Sequence, residues 1–275
     1  MTRRPGIDLI PHWSERHSWK RLGLVAGVIA LAIIYLPILW LVVMSFSAEP
    51  LSGFPGPFTL EYYRELMAQP DWIGPLLNSL AIAAGVAVVA MVTATVVGRA
   101  IPRIGRGRFG IVGVMLLPMM IPGVVIGTAL FLYFRVALGM KMGLWSLFLG
   151  HFVWAYPFAF LSVLIVALRF DKVLLDAAAD LGSGPIERFW RIELPLIKDG
   201  VIAGGLFSFL LSFNEIARSI YLKGRTETLP IYLWQQAASH SSHISLIFPL
   251  NVLILVASIL IVSLAFWFLF GRAKG

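Results

Sequence analysis

Six stretches of this sequence run for about 20 residues or more with scarcely a charge in them. They extend from about Leu22 to Ser45, Leu76 to Gly98, Phe109 to Phe134, Leu144 to Leu168, Val201 to Ile220 and Leu246 to Phe270. A hydrocarbon core of roughly 30 Å is crossed by about 20 helical residues, so these are the lengths of membrane spans rather than of buried core helices. In lipid every backbone N–H and C=O needs an internal partner, and no ten-residue alternation suggests a barrel, so the runs are expected to be helices. The chain is 59% hydrophobic and 13% charged with a mean hydropathy of +0.87, which excludes an ordinary water-soluble domain. The expected fold is all-α: one bundle of six transmembrane helices with the lipid bilayer as its main solvent.

The net charge of +8 invites a nucleic-acid reading, but the basic residues lie in the loops between apolar runs, where they act as orientation signals and predict no nucleic-acid partner. The N-terminal segment 1–21, the 99–108 loop, the 169–200 loop and the C-terminus hold sixteen lysines and arginines. The other side holds five: Arg64, Arg135, Lys141, Lys223 and Arg225. The asymmetry predicts cytoplasmic termini, in keeping with an even number of spans. The polar lead-in is too long for a simple cleaved signal, so the first span is expected to be an uncleaved anchor. There is no cysteine, hence no disulfide, thiolate metal site or cysteine nucleophile.

Two loops are patterned. The outer one, from Ala48 to Pro75, holds Glu49, Glu61, Glu65 and Asp71, and its LEYYRELM segment predicts a short amphipathic helix capping the bundle. The 169–200 loop reads RFDKVLLDAAADLGSGPIERFWRIELPLIKDG. Asp171 can cap a helix over 172–181, Gly182 and Gly184 can end it, and Pro185 can open a second helix running toward Pro195. Ala177, Ala178 and Ala179 give the first helix a smooth face between Asp176 and Asp180, which suits docking better than catalysis.

DAAADLG, nine residues, then IELP resembles the signature cytoplasmic loop of permeases from binding-protein-dependent ABC importers: Glu-Ala-Ala, three residues, Gly, nine residues, Ile, any residue, Leu-Pro. Ala177, Ala178, Gly182, Ile192, Leu194 and Pro195 match, and Asp176 stands where the family usually has Glu. The resemblance implies the six-helix bundle of a type I importer permease in the bacterial inner membrane. It also implies that the loop, including Leu181, is a coupling helix that fits a cleft in a separate ATPase. Implied partners are a cytoplasmic ABC ATPase dimer, a second homologous permease and an extracytoplasmic solute-binding protein. LLNSLAIA at 76–83, GLWSLFLGH at 143–151, LSFNEIARSIYLKG at 211–224 and TLPIYLW at 228–234 resemble the second permease of spermidine/putrescine-type systems. The implied solute is small and polar: a polyamine or related amine, an amino acid derivative or an aminophosphonate.

Charges inside a span cost about 2.5–3.5 kcal/mol each on insertion scales and therefore face a cavity or a partner. The fifth span holds Glu215 and Arg218, three apart and able to pair, with Asn214 beside them. Two readings stand: Asn214, Glu215 and Arg218 line the substrate path, or the ion pair is structural and lies between subunits. An ion-coupled secondary carrier using Glu215 is the alternative from another class. His151 is read as a hydrogen-bonding residue, and His240 with His243 as too few ligands for a metal site.

GRGRFG at 105–110 fits a dinucleotide fingerprint in letters only, since it has no strand before it, and is read as a turn. There is no phosphate-binding loop of the G-x-x-x-x-G-K-[ST] kind and no catalytic triad or metalloprotease motif. The chain is expected to be a non-catalytic subunit without a cofactor of its own, with ATP and Mg bound by the partner ATPase.

Overall fold

The computed structural model describes residues 17–171, 173–238 and 244–270. Its helices are α1 (His17–Met44), α2 (Glu61–Ala68), α3 (Ile73–Ala100), α4 (Arg108–Met120), α5 (Gly123–Phe131) and α6 (Leu144–Arg169). They continue with α7 (Val173–Asp180), α8 (Pro185–Arg188), α9 (Leu194–Phe213), α10 (Ser219–Leu222), α11 (Leu229–Ala238) and α12 (Ile247–Phe270). Among the described residues the only extended pairing is a single bridge between Ser47 and Phe58. The chain divides into two compact units, one running to Met67 and including Ser245–Val256, the other formed by the remainder.

In the first unit α1 is apolar on every side and exposed along most of its length, as a helix is when lipid or another protein covers it. The outer loop folds back on its end: Ala48 N–H donates to Pro57 O at 2.9 Å and Thr59 N–H to Phe46 O at 2.7 Å. The short amphipathic helix expected there is α2. Tyr63 stacks on Phe46 and shares a 2.9 Å hydrogen bond with Ser45, while Leu66 is buried.

The second unit is organised around α3, α6 and α9, which pack against one another in all three pairs. Their contact surfaces combine small residues, including Ala90, Ala94 and Ala159, with larger ones such as Phe160 and Ile197. A Cβ at Gly204 would lie 3.0 Å from the Ala159 backbone, and one at Gly200 would lie 2.6 Å from the Ser162 carbonyl. Hydrocarbon offers no hydrophobic drive to join apolar helices, so close backbone approach through small residues is what holds them.

Two expected spans are corrected. The run from Phe109 to Phe134 is not one helix but α4 and α5, bent by 95° between them. Ile121 is extended (φ −93°, ψ 129°) because the ring of Pro122 disfavours helical geometry in the residue before it. The run from Val201 to Ile220 is also interrupted, since α9 stops at Phe213. Five helices in the described residues are long and apolar enough to cross a membrane, and a sixth if the bent pair counts as one span.

The glycine contacts make a prediction. Gly200→Val should force α6 and α9 apart and destabilise the fold by about 1–3 kcal/mol. A thermal melt of the detergent-purified protein followed by size exclusion should show a lower midpoint than the parent, and an unchanged midpoint would contradict this packing.

Candidate functional site

The 169–200 loop begins with α7. Asp171 Oδ1 accepts the Val173 N–H at 3.0 Å, capping the first turn. At the other end Gly182 N–H donates to Ala179 O (2.9 Å) and Ser183 N–H to Ala178 O (3.0 Å), the paired bonds of a Schellman cap. Gly182 closes it at φ +86°, and nothing lies within 4 Å of where its Cβ would be. The motif's glycine is therefore required by backbone conformation, not by space.

Pro185 opens α8, where its missing N–H costs nothing. Arg188 Nη1 donates to Leu175 O at 3.2 Å, tying α8 to α7. A π-helical turn over Phe189–Glu193 then carries α8 into α9 without a break. Leu194 N–H donates to Phe189 O, five residues back. This widened turn accommodates Pro195, whose ring would clash with the carbonyl four residues earlier in a regular helix. The loop's second helix thus does not end near Pro195; it continues as the membrane helix, which runs from Pro185 to Phe213.

Asp176, Ala177, Ala179, Asp180, Leu181 and Gly182 are exposed, and Ala178 is half-buried. Leu181 is 90% exposed, and Val173, Leu174, Ile186 and Trp190 are exposed with it. Ile192 and Leu194 are half-buried and Pro195 is exposed, so these positions set the helix geometry behind that surface.

Between them lies Glu193, which is buried. Its carboxylate is forked by two arginines, Arg99 Nη2 at 2.5 Å and Arg103 Nη2 at 2.7 Å. Arg99 also covers the Phe189 ring, with its guanidinium carbon 4.4 Å from the centroid. Arg99 ends α3 and Arg103 sits in the 3₁₀ turn after it, so the loop is clamped to α3 as well as continuous with α9.

The other cluster of interest surrounds the end of α9. Glu215 accepts the Arg218 backbone N–H at 2.9 Å and its guanidinium at 2.7 Å, so both carboxylate oxygens are bonded to one residue. The bond to the Arg218 N–H replaces a helical one in the break that follows Phe213. The Arg218 guanidinium lies 4.3 Å from the Trp154 ring centroid. Glu215 and Arg218 are 6% and 2% exposed, while Asn214, bonded to Leu210 O at 2.9 Å, is exposed. His151 is buried between Ser212 (2.9 Å) and Ser219 (2.7 Å). Within this chain the Glu215–Arg218 pair is thus already complete.

The four segments of softer resemblance meet in space. Asn78 Nδ2 donates to Glu227 O at 2.9 Å, Leu229 N–H to Ser79 Oγ at 2.8 Å, and Ser146 Oγ to Leu222 O at 2.7 Å. Among the described residues no three His, Cys, Asp or Glu side chains are grouped to hold a metal, and His240 and His243 lie outside the described residues.

A family model described as the inner membrane component of binding-protein-dependent transport systems matches residues 100–273. The chain belongs to this family. It is an ABC importer permease, a multi-pass inner-membrane subunit rather than the catalytic one. It is 31% identical over 205 residues to the spermidine/putrescine permease PotC of Escherichia coli K12, covering 74% of this chain and 77% of PotC. With PotC of Haemophilus influenzae the identity is 29% over 205 residues, 74% and 79% of the two chains. The putrescine permease PotI of E. coli K12 matches over 270 residues at 27%, 94% of this chain and 93% of PotI. A solved bacterial ABC transporter that imports alginate shares the fold, with a TM-score of 0.73 at 17% identity over 90% of this chain and 96% of that one.

In this permease Glu193, Arg99 and Arg103 are residues that the sequence did not single out. The signal was there in part, because Glu193 occupies the free position of the I-x-L-P motif, but the arginines read only as basic loop residues. Removing Glu193 leaves two guanidiniums facing each other. Because the Arg103 side chain is 42% exposed and Arg99 26%, we expect Glu193→Ala to cost about 2 kcal/mol, between surface and buried pairs. The thermal midpoint of the purified permease checks this, with Glu193→Asp expected to recover part of the loss.

Proposed function

We propose that this permease forms one half of a translocation path for a small polar solute and takes its movement from a cytoplasmic ABC ATPase dimer through α7 and the turn after it. The other half of the path is a second homologous permease, and an extracytoplasmic binding protein delivers the solute. ATP and Mg belong to the ATPase. The observation that carries the reading is mechanical. Ala177, Ala179, Leu181 and Ile186 form an exposed, weakly polar surface on a loop otherwise rich in charge, which is a surface for a partner protein. Behind it the chain is joined to α9 by a continuous helix and to α3 by Glu193, so displacement of α7 moves two membrane helices together. The basic-residue asymmetry supports placing this loop and both termini in the cytoplasm.

For the path we propose the break at 214–218. Asn214 is presented to it, and the Glu215–Arg218 pair holds the unwound backbone open. The names of the relatives point to polyamines as the solute class, with related amines, amino acid derivatives and aminophosphonates as its neighbours. An ion-coupled carrier built on Glu215 would need that carboxylate free for a proton or sodium ion; both its oxygens are bonded to Arg218.

The deciding measurement is ATP hydrolysis by the complex copurified with this permease, with and without binding protein and solute. The parent should be stimulated. Gly182→Arg, which places a large side chain on the left-handed cap, should lose about tenfold or more of the stimulation while the complex still reaches the membrane. Uptake that follows an ion gradient, with no ATPase copurifying, would sink the proposal.

A further inference from the structure

Lysine and arginine are disfavoured on the translocated side of a membrane protein. The sequence nevertheless has five on the side opposite the coupling loop, and four of them converge. Arg135, Lys141, Lys223 and Arg225 line one cleft of about 640 Å³, with Tyr221 also in its lining. Arg135 lies in the π turn after α5, Lys141 just before α6, and Lys223 and Arg225 just after α10. α6 then runs 26 residues, about 39 Å at 1.5 Å per residue, from this end to the coupling loop.

No carboxylate is among the residues lining the cleft. Lys223 reaches Glu227 at 3.4 Å, outside that lining. Among the described residues, the side chains of Arg135, Lys141 and Arg225 have no hydrogen bond or ion pair. Like charges gathered in a concavity repel one another and draw in counter-ions. The cleft lies next to the broken segment: Tyr221 N–H donates to Arg218 O at 3.2 Å, and a Cβ at Gly127 would lie 3.0 Å from both residues. The carboxylate of the broken segment, Glu215, is occupied by Arg218. A polycation entering here would meet three unpaired positive side chains and no carboxylate in the lining, whereas two arginines and a lysine suit an oxyanion.

We propose that this cleft recognises an acidic group, a carboxylate or a phosphonate-type oxyanion, on the imported solute. This permease then serves an anionic or zwitterionic solute rather than the polyamines of its relatives' names. The cleft has the size of a small-molecule site. The inference rests on the importer reading and, among the solutes named there, selects the amino acid derivatives and aminophosphonates over the polyamines.

The absence of cysteine gives a direct test. In the purified complex with Thr226→Cys, this chain carries one thiol at the cleft. Its rate of modification by the anionic sulfonatoethyl methanethiosulfonate, relative to the cationic trimethylammonioethyl reagent, should exceed the free-thiol ratio by about tenfold. Inorganic phosphate should slow the reaction by about threefold more than sodium chloride of equal ionic strength, and this excess should vanish in R135Q/R225Q. Equal slowing by phosphate and chloride would mean diffuse surface charge and overturn the proposal. It would also fall if R135Q/R225Q abolished stimulation by the binding protein without any phosphate effect, since the cleft would then be a protein-docking face. ATP-driven uptake of spermidine by the parent, unchanged in R135Q/R225Q, would overturn it while leaving the importer reading intact. The thiol reaction requires no ATP hydrolysis and can be repeated on the permease purified without an ATPase, so a missing ATPase bears on the importer reading alone.

Discussion

A backbone amide in hydrocarbon has no water to turn to, and at three departures from regular helix in this permease something takes the place of the lost bonds. At 214–218 it is the Glu215 carboxylate, which accepts the backbone N–H of Arg218 and neutralises its guanidinium. At Ile121 the helix breaks before a proline that has no N–H to satisfy, and Pro122 O accepts from Val125 and Ile126 as the next helix starts. At Pro195 the helix widens by one residue instead of breaking. The three sites therefore produce three different shapes: an unwound segment, a 95° bend, and an unbroken rod.

That rod connects the proposed point of force to the membrane. α7 is a short helix fixed at both ends by its caps, and α8 to α9 is one body from Pro185 to Phe213. The Glu193 fork adds α3, and α3, α6 and α9 are packed through glycine and alanine so closely that they have little freedom to slide independently. A push on α7 is therefore transmitted rather than absorbed. At the opposite end the cationic cleft and the broken helix lie close together, because Tyr221 packs next to Arg218.

Much of the local structure of the 169–200 loop was legible from residue types alone. Asp171, Gly182 and Pro185 act through local backbone chemistry, and a cap depends on neighbours within a few positions, all visible in the sequence. Glu193 was not legible in the same way. Its partners Arg99 and Arg103 are about ninety positions away in the chain, and nothing local distinguishes them from Arg106 and Arg108. The Glu215–Arg218 pair was readable from its spacing, yet the spacing implied a helix face. Its carboxylate instead bonds the backbone and helps end the helix, an outcome that depends on Gly123, Gly127, Trp154 and His151 packed around it.

By itself the sequence determined the solvent, the class of fold and the family, since apolar run length and a spaced motif are both properties of the linear chain. Tertiary structure alone decided where the helices break, which arginines hold Glu193, and that four scattered cations share one cleft. Those outcomes depend on which distant side chains share a space, and neither the period of a helix nor the length of a run encodes that.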